Sequence, residues 1–153
     1  MNTIIKFISF LRRCYWAVIR PTTVGVRAII VNADREILLV KHRYAKNWFL
    51  PGGGVKKGES FTKAIHRELS EEVGIERYDK LAILGCYSNF FESKSDYIAV
   101  FVIHPTTLSG DPKSVEIAQY AFFPLSALPE GLSPGTRKRI QEYLGEKTID
   151  FNW

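Results

Sequence analysis

Between Pro51 and Gly74 the chain leaves itself few options. Gly52, Gly53 and Gly54 follow Pro51 without interruption, and so dense a glycine run supplies no side chains to stabilise a strand or a helix, so the segment reads as a loop. Ser60 then offers an N-cap. Beyond it Phe61, Ile65, Leu69 and Val73 recur every four residues, and Gly74 stands where a helix would stop. The expectation is a glycine loop feeding a helix from about Phe61 to Val73, with those four residues as its buried stripe.

On either side the pattern is that of strands. β-Branched and aliphatic residues fill Thr23–Val31 and Glu36–Val40, and the stretch Asn32, Ala33, Asp34 and Arg35 between them suggests a β-hairpin. Leu81–Phe91, Tyr97–Ile103 and Ile117–Phe123 carry similar β-branched and aromatic enrichment. Ser133 and Pro134 open a last helix that runs to about Leu144 and ends at Gly145, with Arg137, Lys138 and Arg139 read as its solvated side. Strands, helix, strands and helix within 153 residues imply one α/β (α+β) domain over 21–153, a sandwich around a mixed β-sheet.

The net charge of +5 is unevenly placed. Residues 1–20 hold Lys6, Arg12, Arg13 and Arg20 and no acid, which leaves 17 basic against 16 acidic residues in the body. So balanced a body implies no nucleic-acid partner. On a helix Ile4, Phe7, Ile8, Leu11, Tyr15, Val18 and Ile19 share one face, while Lys6, Ser9, Arg13 and Arg20 share the other. That basic amphipathic segment is too short and too interrupted to span a bilayer, and its apolar stretch lacks a small-residue cleavage site. It therefore packs on protein, either its own domain or the second subunit of a homodimer, or it rests peripherally on an anionic membrane surface. Two cysteines, Cys14 and Cys86, exclude a disulfide framework, read as packing residues, and fit a reducing, cytoplasmic setting.

Chemistry concentrates on the central helix. Glu68, Glu71 and Glu72 stand at i, i+3 and i+4, within one arc of the helix and overlapping the edge of its apolar face. Like charges at these spacings oppose helix formation, and near the helix C-terminus the macrodipole opposes them again. A divalent cation resolves the conflict: clustered carboxylate oxygens suit magnesium or manganese, and magnesium brings substrate phosphates with it. A Walker-type loop is excluded because Glu59 occupies the place where that motif needs a lysine on the phosphates.

Taken together, Gly53, Glu59, Arg67-Glu68-Leu69, Glu71-Glu72 and Gly74-Ile75 resemble the Nudix box at every defined position. Trp48-Phe49-Leu50-Pro51-Gly52 resembles the usual approach to that box. The resemblance implies an α-β-α sandwich and a metal-dependent hydrolase that cleaves the diphosphate of a nucleoside diphosphate linked to another group, by water attack on phosphorus. By the same resemblance Glu68, Glu71 and Glu72 are metal ligands, and one of them, Glu68 by preference, or a glutamate outside the box is the general base. Glu59 and Arg67 match box positions that the resemblance implies are structural, a charge pair tying the glycine loop to the helix, with Arg67 expected near enough to screen Glu71. The Gly52 carbonyl matches a backbone ligand position.

Outside the box, Glu116 and Glu92 are candidates for a further ligand or base. Arg43, Tyr44 and Trp48 have the chemistry to bind phosphate and stack a base, while His42, His66 and His104 read as surface or hydrogen-bonded residues. The proline and tyrosine markers that some Nudix groups carry downstream of the box are absent here: positions 90–93 read Phe90, Phe91, Glu92 and Ser93, and the next proline after Pro51 is Pro105. The alternatives are a nucleotide sensor without turnover, which the three intact glutamates count against, and a membrane-peripheral diphosphatase resting on residues 1–20.

Overall fold

A computed structural model describes residues 21–91, 94–105 and 114–153. The readings made for residues 1–20 and for Glu92 lie outside the described residues. The elements in chain order are β1 (Thr22–Ile30), β2 (Glu36–His42), α1 (Phe61–Val73), β3 (Tyr78–Phe91), β4 (Lys94–Pro105), β5 (Ile117–Pro124) and α2 (Pro134–Tyr143). No helix among them is long and apolar enough to cross a membrane.

β1 runs parallel to β4, and β4 runs antiparallel to β3, giving a three-stranded mixed sheet in the order β1-β4-β3. β2 and β5 pair antiparallel in a second, two-stranded sheet. The expected hairpin of β1 and β2 does not form. Beyond a single bridge between Val31 and Ile37 the two strands part, because each already has another partner for its edge. The glycine loop takes β1: Val26 N–H donates to the Gly53 carbonyl, Ala28 N–H to the Pro51 carbonyl and Val55 N–H to the Val24 carbonyl, each at 2.9 Å. β2 exchanges backbone bonds with Phe49 through Val40. The turn itself is held locally: Glu36 N–H donates to Asn32 Oδ1 at 2.8 Å, and Arg35 adopts a φ of 60°.

The aliphatic runs of β1 and β2 are continuous because both faces are buried. Val26, Ala28 and Ile30 of β1 pack with Leu38 and Val40, with Ala99, Phe101 and Ile103 of β4, and with Ala64, Ile65, Leu69 and Val73 of α1. Ile29, Val31, Ile37 and Leu39 face the other way, onto Tyr87, Ile98, Val100 and Ile140 of α2. The result is helix, sheet and helix in layers. Ser60 Oγ accepts from Lys63 N–H at the start of α1, and Gly74 closes it with a φ of 67° while donating to the Leu69 carbonyl. Phe61, read as the first member of the stripe, is instead 42% exposed, since Ala64 takes its place against the sheet.

Two further expectations are corrected. Cys86 is exposed on β3 rather than packed. Arg139, read as part of a solvated run, is fully buried: its Nη2 pairs with Glu142 Oε1 at 2.9 Å, and its guanidinium lies 3.8 Å from the centre of the Tyr87 ring. Tyr87 Oη donates to Glu142 Oε2 at 2.9 Å, and burial, before that bond, pushes the phenol pKa up. The chain end closes this pocket. Ser88 N–H donates to the Phe151 carbonyl at 2.8 Å, Trp153 N–H donates to the Ser88 carbonyl at 3.0 Å, and the Trp153 ring sits edge-on to Tyr87.

Removing one partner of a buried pair strands the other charge. Glu142→Ala is therefore expected to cost about 3–5 kcal/mol, while Lys138→Ala, which breaks a pair with the half-exposed Asp150, is expected to cost about 0–1 kcal/mol. Urea midpoints at unchanged slope measure both, and equal shifts would refute the contrast.

Candidate active site

Arg67 is the hub of the loop and helix junction. Its Nε and Nη2 meet the two oxygens of Glu59, each at 2.9 Å. Nη2 also donates to the Gly54 carbonyl at 3.0 Å, Nη1 donates to Glu68 Oε1 at 2.6 Å, and Nη1 lies 3.6 Å from Glu71 Oε2. This bidentate grip holds the Glu59 carboxyl down at about 2, with the Lys56 backbone N–H contributing next, and raises the guanidinium pKa in turn. A lysine cannot make such a fork.

Two glycines let the loop approach the helix. Gly52 has a φ of 131°, and a Cβ there would lie 2.3 Å from the Val26 carbonyl oxygen. Its N–H is left pointing at Glu72, donating to Oε2 at 2.8 Å. At Gly53 a Cβ would meet Glu68 Oε1 at 2.5 Å, so the absent side chain is what lets the Glu68 carboxylate lie against the loop. Glu72 is buried, and burial pushes its pKa up to about 7 against the opposing effects of the Gly52 N–H and Arg27.

Glu68, Glu71 and Glu72 line one cavity of about 530 Å³ together with Ser114, Val115 and Glu116. The wall made by 114–116 is pinned from both sides. Ser114 N–H donates to the Glu71 carbonyl at 2.8 Å, Arg43 N–H donates to the Glu116 carbonyl at 2.9 Å, and Arg43 Nε donates to the Val115 carbonyl at 2.8 Å. Glu116 thus joins the box carboxylates, and Arg43 is engaged in holding the wall. Tyr44 is 76% exposed and stacks on His42 with 5.1 Å between ring centres. Trp48 is placed elsewhere, edge-on against Phe123 at 4.9 Å and beneath Lys41.

Sequence reasoning missed two residues here. His42 is half-buried rather than superficial, its Nδ1 is buried without a partner among the described residues, and burial followed by Arg27 lowers its pKa. Arg27 stands on β1 and is electrostatically coupled to Glu72 and Glu68. A lone cation within the apolar run Val24–Val31 was the signal that could have found it.

The donor set fits a hard divalent cation in its chemistry: four carboxylates border one cavity, and one of them is buried without a counter-ion in contact. Among the described residues no three such side chains converge on a single point, because Glu68 is turned to Arg67 and Glu72 to the Gly52 N–H.

Known proteins match most of this chain in sequence and fold. The sequence profile of the NUDIX domain matches residues 21–143. An ADP-ribose pyrophosphatase of Methanocaldococcus jannaschii is 32% identical over 119 residues, which is 75% of this chain and 69% of that protein. The crystal structure of a MutT NUDIX hydrolase from Burkholderia pseudomallei superposes with a TM-score of 0.69 at 28% identity, covering 78% of this chain and 96% of that one. The structure of a UDP-X diphosphatase does so with a TM-score of 0.65 at 27% identity, covering 82% of this chain and 64% of that one. The fold and its carboxylate-bearing helix define a Nudix-type hydrolase. The chain belongs to the NUDIX domain family.

Gly53→Ala is expected to leave the fold standing and to lower turnover on the order of 10²-fold, since displacing Glu68 by about 1 Å is enough for that; unchanged kinetics would show that the close approach is incidental. Glu72 makes a pH prediction. A carboxyl whose folded pKa lies near 7 against the ordinary 4.5 favours folding while protonated, so its contribution is complete below about pH 4.5 and is lost as pH rises through 7. Metal-free protein should therefore lose on the order of 3 kcal/mol across that window relative to Glu72→Gln, as read by denaturation at pH 4.5 and pH 8, and added magnesium should restore stability at the higher pH. Parallel pH curves for the two proteins would refute this.

Proposed function

We propose that this chain hydrolyses the diphosphate linkage of a nucleoside diphosphate joined to another group, with magnesium or manganese held by Glu68, Glu71 and Glu72 and supported by Glu116 and the Gly52 carbonyl. The observation that carries this reading is the cavity bordered by three helix carboxylates and Glu116 beside a loop locked by Arg67. The names of its relatives, an ADP-ribose pyrophosphatase and a UDP-X diphosphatase among them, support a substrate of this class.

When bound, the metal would neutralise charge on the diphosphate and lower the pKa of a coordinated water. The chain's own residues do the rest. Glu68, set against the loop by Gly53, takes the proton of the attacking water as its oxygen bonds to phosphorus and the bridging P–O bond breaks, the bridging oxygen leaving on the second phosphate. Glu59 and Arg67 hold that carboxylate in place without touching substrate. Gly52 N–H fixes Glu72. Tyr44, exposed over His42, offers a face on which a base can stack, and Arg43 acts by holding 114–116 against the carboxylates. Trp48 supports the β2 end of the site from its seat on Phe123.

The direct test is product release from a panel of nucleoside triphosphates, ADP-ribose, nucleotide sugars and dinucleoside polyphosphates with magnesium or manganese, beside Glu71→Gln. Turnover by the wild type and its loss in the variant are expected. Nucleotide binding without turnover of any compound would replace the hydrolase with a sensor. Arg67→Lys keeps the charge but loses the fork, and is expected to lower activity by about 10- to 100-fold; full activity in that variant would refute the role given to the Glu59 and Arg67 pair.

A further inference from the structure

The α1 layer covers the three-stranded sheet unevenly. Val26, Ala28 and Ile30 of β1 pack with α1 and with Ala99, Phe101 and Ile103 of β4 in one buried cluster. Directly opposed residues of an antiparallel pair share a face. Ile83, Cys86, Ser88 and Phe90 of β3, which pair with Phe101, Ala99, Tyr97 and Ser95, therefore face the α1 layer as well. Yet Ile83 is 58%, Phe90 67% and Tyr97 45% exposed, and Cys86 is exposed between them. The Phe90 and Tyr97 rings meet edge to face at 6.3 Å, and both stay open to solvent. An apolar stripe on the outermost strand promotes association unless something covers it.

The dimensions of the fold identify the occupant. α1 lies over β1, and β3 stands two strands away, about 10 Å. Packed helices sit at that spacing, so the layer has room for one more helix beside α1. The stripe from Ile83 to Phe90 is about 23 Å long, and the apolar face that residues 1–20 present on a helix, from Ile4 to Ile19, is about 22 Å long. Those residues lie outside the described ones, but the point where they join the sheet is fixed. The Pro21 carbonyl accepts from Ser95 N–H at 3.1 Å, and Thr22, Ser95 and Phe90 stand on one rung of the sheet. A helix stopped at Arg20 by Pro21 thus ends alongside Phe90 and covers the stripe back to Ile83 with no linker.

We propose that residues 1–20 dock as a helix on the α1 side of β3 and β4, with their apolar face on Ile83, Phe90 and Tyr97 and with Lys6, Arg13 and Arg20 turned to solvent. The segment completes the α1 layer, and one contact removes two apolar surfaces from water. The same register brings the two cysteines of the chain abreast. Cys14, beside Leu11 and Val18 at the edge of the apolar face, lies about 9 Å along the helix from Arg20. Cys86 lies about 13 Å along β3 from Phe90. This docking stands whether or not the carboxylate site turns over a nucleotide.

A short bis-maleimide added to the reduced full chain is the probe, with bridged peptides identified by mass spectrometry after digestion and the mass in solution read by light scattering. The expected result is a monomer carrying an intramolecular bridge between Cys14 and Cys86, absent in Cys14→Ser and largely lost in Phe90→Asp, which alters an exposed side chain far from the box. Ile83→Asp, at the other end of the stripe, repeats the disruption at a site of its own in case Phe90→Asp does not fold. Bridges found only between two chains of a dimer would assign the face to a second copy and overturn the proposal. A bridge that survives both aspartate variants would overturn it too, since the contact would not depend on the stripe. So would a wild type without any bridge, and co-sedimentation of that chain with phosphatidylserine vesicles would then assign residues 1–20 to a membrane surface.

Discussion

The bidentate pair of Arg67 and Glu59 is the contact on which the site depends. A helix with three glutamates crowded into its second half has no internal reason to present them in one direction, since their mutual repulsion and the macrodipole both favour dispersal. Arg67 supplies the restraint from within the same helix. One planar group reaches back to Glu59, across to the Gly54 carbonyl and forward to Glu68, so loop and helix are fixed by the same guanidinium. The other constraint comes from the loop, which reaches this position by acting as a strand neighbour of β1. Glycine is required where it does so, because a side chain at position 52 would collide with β1 and one at position 53 would displace the Glu68 carboxylate.

That dual role of the loop also decides the topology. A loop that occupies β1's edge denies that edge to β2, and β2 turns to Phe49 on one side and β5 on the other. The site is therefore built where two sheets diverge. Its far wall, 114–116, leads directly into β5 and is drawn in by Arg43 just beyond β2. The geometry of the candidate site and the sheet pairing are consequences of one arrangement of backbone hydrogen bonds.

Local features of this fold were legible in the sequence, and pairings were not. α1 and its caps follow from Ser60, the four-residue spacing and Gly74, all within reach of one another along the chain. The strands announce themselves by composition, but the hairpin was misread because the competitor for β1's edge lies more than twenty residues away. Arg139 was misread for a related reason: nothing in Arg137-Lys138-Arg139 reveals that Tyr87 and Trp153, distant in sequence, close over the last of the three. The carboxylates of the box stand out in the sequence because their spacing opposes helix propensity, and the structure brings them to one cavity. Arg27 violates strand patterning in the same way, yet a single cation in a strand does not say which face it takes or what surrounds it.

The electrostatics of the cleft explain why stability is given up there. Burying Glu72 until its pKa reaches about 7 penalises the ionised form at neutral pH, and leaving Arg27 half-buried without a contacting acid adds a second penalty of opposite sign. The two groups would relieve each other if they touched. Each bonds elsewhere, Glu72 to the Gly52 N–H and Arg27 to the Val26 carbonyl, and the buried carboxylate keeps an unmet demand for a cation in contact. A divalent cation of the kind proposed for the helix carboxylates would meet the demand of Glu72, and free energy withheld from the fold would then become available on binding.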